Sequence, residues 1–175
     1  MFKFPLKQMN KSIRIVLGLI VAGLSGTAMA EPGFLSDLTR DKVVRWQFSA
    51  YTYHYIPNVE HKPVVMVGLE REHPNAKMDG FTLFSNSFGQ PTVYVYPWGG
   101  IYHDIWDIEH LSFKWSAGLL YGYRPPYEDS VPLNYNGLSP AIVPALAYEF
   151  KPGWSAQASF LGTAAVMFQV NGPFN

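Results

Sequence analysis

Five histidines, one serine-bearing polar turn and no cysteine bound the chemistry open to this 175-residue chain. The missing thiol excludes disulfide scaffolds, Cys-ligated zinc and thiolate nucleophiles. Reaction at an acyl ester then needs a hydroxyl nucleophile, a base to deprotonate it and donors for the oxyanion. The candidates are His54 and, 33 residues later, Ser87 in Phe84-Ser85-Asn86-Ser87-Phe88-Gly89. A plainer reading stands beside them: a serine in an Asn/Ser/Gly run is an ordinary turn former, and a histidine among tyrosines is an amphipathic belt residue. His103-Asp104 and Glu109-His110 match no metal-ligand spacing, so surface-loop charge accounts for them and no metal or cofactor is expected.

Positioning that pair falls to strands. From Val43 onward the apolar period shifts toward two and aromatics become dense, with turn formers at His73-Pro74-Asn75 through Asp79-Gly80, Ser87 to Pro91, Gly99-Gly100, Pro125-Pro126, Lys151-Pro152-Gly153 and Gly162-Thr163. These divide the chain into eight strands, over 44–55, 64–70, 80–86, 92–98, 111–121, 139–150, 154–161 and 164–170. Eight strands predict an all-β, closed antiparallel barrel, either a soluble lipocalin-like one or a small outer-membrane one.

The N-terminus favours the membrane. Lys3, Lys7, Lys11 and Arg14 precede the apolar run from Ile13 to Leu24, and Ala28-Met29-Ala30 supplies a small-residue cleavage pattern, so residues 1–30 read as an export signal. The single barrel domain is then 31–175, opening with an amphipathic helix over 31–43 on Phe34, Leu35 and Leu38 that extends at most to Arg45. All four basic residues named lie in the signal and no acidic ones do, which leaves nine basic against thirteen acidic residues in the mature chain. Nucleic-acid binding wants a basic patch and is not expected.

If the first strand runs outward from the periplasm and each later one reverses, Trp46, Trp98, Trp106 and Trp154 fall near the inner ends. Tyr51, Tyr53, Tyr55, Tyr121 and Tyr123 then fall near the outer ends. Two aromatic girdles are what a bilayer-spanning barrel carries. The same alternation puts His54 and Ser87 at the outer mouth, His61 in the first outer loop, and His73, His103 and His110 at inner turns.

At this point the residues resemble a family, the PagP outer-membrane acyltransferases that move palmitate from a phospholipid to lipid A. Tyr51-Thr52-Tyr53-His54 resembles the strand-one segment ending in the family's essential histidine. Val67-Gly68-Leu69-Glu70 with Gly80 to Ser87 is similar to its hairpin leading into an Asp-Ser pair, and Ser139-Pro140-Ala141-Ile142-Val143-Pro144-Ala145-Leu146-Ala147 resembles its proline-interrupted sixth strand. The resemblance implies that His54 and Ser87 are catalytic and that Asn86 stands in the aspartate's place. Asn86 is able to orient or donate but not to act as a base. The resemblance also makes Pro140 and Pro144 flank a lateral route for the acyl chain, since proline cannot donate to the strand ladder. It further implies a monomer in the outer membrane of a Gram-negative cell, with a phospholipid donor and lipid A acceptor. Ala117, Gly118, Ala145, Ala147 and Ala165 are candidates to line an acyl pocket. Two other readings remain: a lipid A deacylase of the PagL type and a non-enzymatic barrel of the OmpX type.

Overall fold

The computed structural model describes residues 42–174. The expected export signal and all but the last residues of the expected helix lie outside them, and Val43 to Arg45 belong to a strand. Eight strands follow: β1 (Val43–His54), β2 (Met66–Glu72), β3 (Met78–Ser85), β4 (Pro91–Tyr102), β5 (Leu111–Tyr121), β6 (Leu138–Lys151), β7 (Trp154–Leu161) and β8 (Ala165–Pro173). Each pairs antiparallel with its sequence neighbour, and β1 pairs with β8 to close the barrel. Closure gives every strand two neighbours, so the sheet has no edge strand. Among the described residues no helix is long and apolar enough to cross a membrane.

One expected boundary is corrected. Gly99 and Gly100 form no turn; they lie inside β4, opposite Ser116 and Trp115. The reason is close approach: a Cβ on Gly100 would lie 2.7 Å from the Trp115 indole nitrogen. The strand carries on past Pro97 by a register shift between Val95 and Trp98, so the missing proline donor falls at an irregularity. The chain reverses instead at residues 103–110, around a 3₁₀ turn at Ile105–Asp107.

Alternation sorts the strands into two faces. Outside, Phe48, Val67, Val95, Ile142 and Phe168 are exposed on the barrel wall. Tyr53 and Tyr55 lie toward the His54 end, and Trp98 and Trp106 toward the other, where Trp46 and Trp154 meet edge to face at 5.4 Å. Large apolar side chains facing outward along the wall are consistent with a barrel set in a membrane.

The interior has two zones. Toward the His54 end, Val64, Met66 and Met167 pack with Phe84 and Leu161, and nearby Tyr94 and Tyr96 pack with Leu120 and Val143. Deeper, Lys114 donates to Glu70 and to Gln157, Gln47 donates to Glu70 and Asn171 donates to Gln157. These polar side chains are buried yet bonded to one another, as burial of polar groups requires.

Candidate functional site

The alternating topology carries His54, the last residue of β1, and Ser87, in the turn after β3, to the same mouth. There His54 Nε2 lies 2.7 Å from Ser87 Oγ, within reach for a base to take the hydroxyl proton.

The turn that presents Ser87 is built by Asn86. Its Oδ1 accepts the backbone N–H groups of Phe88 and Gln90, each at 3.0 Å, and Gly89 completes the turn at φ 81°. Asn86 is fully buried. Its Nδ2 donates to Gln90 Oε1, which also accepts from the Arg124 N–H, while Gln90 Nε2 donates to the Arg124 carbonyl. The structure therefore directs the Asn86 side chain into the turn and toward the segment after β5, with no bond to His54 or Ser87. In this arrangement Asn86 positions the serine. A second tie comes from the β1–β2 connection, where the Lys62 N–H donates to the Ser87 carbonyl at 2.7 Å.

Two neighbours of the pair were not singled out as site residues by the sequence. Tyr123, two residues beyond β5, lies beside Ser87; burial pushes its phenol up, and the Ser87 side chain opposes the rise. It enters through the Gln90–Arg124 link, a long-range contact with no local sequence signature. His61 brings its ring to 4.1 Å from that of His54. Its position in the first loop was legible, but its contact was not. The remaining histidines are not brought to this mouth: His73 pairs with Asp79, while His103 bonds Glu72 and Ser112 at the opposite end.

His54 and Ser87 open onto a cavity of about 770 Å³ that runs down the lumen through Met66, Phe84 and Met167 to Gln47, Glu70 and Lys114. Such a volume lies within the range of small-ligand sites, about 300–1,000 Å³. Of the small residues expected to line it, Ala145 and Ala165 do, and Ala147 and Gly118 are also buried, whereas Ala117 alternates to the outer face.

The wall beside the cavity is incomplete. β6 pairs with β5 all the way to Leu138, but its pairing with β7 stops at Ala145 opposite Ser159. Residues 138–144, with Pro140 and Pro144 among them, have no β7 partner. Pro140 and the outward-facing Ile142 accordingly contribute to the cavity lining. Prolines suit this stretch because they present no unpaired N–H to the gap.

The class these features define is a closed eight-stranded β-barrel with a hydrogen-bonded Ser-His pair at one mouth and an opening in the adjoining wall. No protein-family model and no curated protein matches the chain.

Proposed function

We propose that the protein is an outer-membrane acyltransferase that moves a palmitoyl chain from a phospholipid to lipid A, with the His54 mouth facing outward. The observation that carries this reading is the 2.7 Å His54–Ser87 contact at the top of a cavity lined in part by Pro140 and Ile142, from a strand segment that lacks a β7 partner. An acyl chain needs a way in from the bilayer, and a fully laddered barrel wall offers none. The gap at residues 138–144 supplies it, and the apolar upper lumen receives the chain.

In the proposed reaction His54 takes the proton of an attacking hydroxyl while that oxygen forms a bond to the donor ester carbonyl. Either Ser87 attacks, giving an acyl-serine that the acceptor hydroxyl then opens, or the acceptor attacks directly with Ser87 holding it. The ester C–O bond breaks, and the departing lysophospholipid oxygen takes the proton back from His54. The Tyr123 phenol, kept protonated by burial, is the hydroxyl beside Ser87 suited to donate to the oxyanion. The partners are thus the phospholipid donor, the lipid A acceptor and the membrane itself, with the barrel acting as a monomer.

Mass spectrometry of lipid A from cells with and without the chain tests the reading. One added acyl group supports it, a lost one favours the deacylase, and no change favours a non-enzymatic barrel.

A further inference from the structure

A catalytic histidine needs a third group that fixes its ring, and in serine–histidine sites that group is usually a carboxylate on the second ring nitrogen. Among the described residues no carboxylate is ion-paired with His54. Asn86, beside the serine, has its side chain bonded within its own turn.

A ring occupies the orienting place instead. His61 lies with its centroid 4.1 Å from that of His54 and its plane tilted by 36°. On its far side His61 meets the edge of Phe88 at 5.6 Å, and Phe88 stacks on Tyr127 at 4.0 Å with the planes 8° apart. His61 is also held through the backbone: its own N–H donates to the Asn58 carbonyl at 3.0 Å, and the next N–H, of Lys62, donates to the Ser87 carbonyl. The rings of His54, His61, Phe88 and Tyr127 thus run in series across three separate connections at one mouth. The loop carrying His61 is clamped to the residue whose hydroxyl His54 must reach.

We propose that His61 is a positioning residue whose ring, in place of a carboxylate, holds the His54 imidazole in the plane that keeps Nε2 on Ser87. This rests on the acyl-transfer reading for its consequence in catalysis, but its geometric content stands apart. Aromatic character and the docked loop carry the effect, so the replacement that keeps a ring retains function and the one that removes it does not.

The test uses the full barrel refolded in detergent micelles, labelled with ¹⁵N at histidine and held at about pH 8, above the ordinary imidazole range. Ser87→Ala supplies the His54 Nε2 signal without its serine partner. His61→Ala moves the His54 signal toward that of Ser87→Ala, and His61→Phe returns it to the wild-type position. His61→Leu, which keeps apolar bulk without a ring, serves where the alanine variant loosens the loop. A wild-type His54 signal in a folded His61→Ala or His61→Leu barrel overturns the proposal, as does failure of His61→Phe to restore it. With phospholipid and lipid A present, kcat falls about 100-fold in His61→Ala, the scale of a roughly 1 Å misplacement, while KM stays within about twofold. Failure of the wild type to transfer acyl groups sinks the acyl-transfer reading alone, because the nitrogen signals still decide the role of His61.

Discussion

Removing the Lys114 ammonium should cost the barrel more than any other single truncation in its lumen. Lys114 and Glu70 are 3% and 2% exposed, and they form an ion pair in the middle of the barrel. In Lys114→Met the Glu70 carboxylate keeps one donor, Gln47 Nε2 at 3.0 Å, and loses its counter-charge. Gln157 is not stranded, because its Oε1 still accepts from Asn171 at 3.0 Å. The penalty therefore falls on Glu70 and is that of an uncompensated buried charge, about 3–5 kcal/mol. Against a total stability of about 5–15 kcal/mol this is a large share. Urea titration of the refolded barrel in micelles, followed by tryptophan fluorescence, reads it as a midpoint lowered by at least about 1 M. Adding Glu70→Gln removes the stranded charge and keeps an acceptor for Gln47, so the double variant is more stable than Lys114→Met alone. A single-variant cost below about 1 kcal/mol, or a double variant that loses the sum of both singles, would refute the reasoning.

Ser87→Ala and His54→Ala each lower acyl transfer by at least about 10³-fold while urea midpoints stay near wild type, and the double variant is no worse, since the two groups act as a unit; initial rates in vesicles check this. Asn86→Ala leaves the partly buried N–H groups of Phe88 and Gln90 without their acceptor and costs about 1 kcal/mol, whereas Asn86→Asp keeps the acceptor and loses less, as read by the same urea titration. Ala145 faces the lumen directly opposite Lys114 in the β5–β6 register, so Ala145→Leu raises the cavity floor. The transferred chain then shortens, because each methylene denied burial forfeits about 0.8 kcal/mol, and the mass of the acylated product reports it.

The eight strands and their order were legible because alternating apolar residues and Gly/Pro/Asn turns are local signals. Gly99-Gly100 misled for the same reason: two glycines spell a turn, but here they make room for Trp115, a neighbour supplied by the next strand. That His54 and Ser87 share one mouth followed from counting strand reversals, but their 2.7 Å contact did not, because sequence carries no distances. The role of Asn86 did not follow, because its two acceptor bonds depend on the turn's backbone path. Nor did Tyr123, which reaches the pair from a loop far along the chain, or His61, whose ring contact with His54 depends on how the β1–β2 connection folds back. The prolines of β6 marked the weak place in the wall. That the gap extends over residues 138–144 depends on where β7 stops pairing with β6, at Ser159, two residues before β7 ends at Leu161.

The most direct measurement of the central claim reconstitutes the barrel in vesicles holding lipid A and a phospholipid with one deuterated palmitoyl chain. The acyl-transfer account predicts deuterated palmitate on lipid A with the wild-type barrel and none with folded Ser87→Ala or His54→Ala. Equal labelling with all three proteins, or none with the wild type, would contradict it.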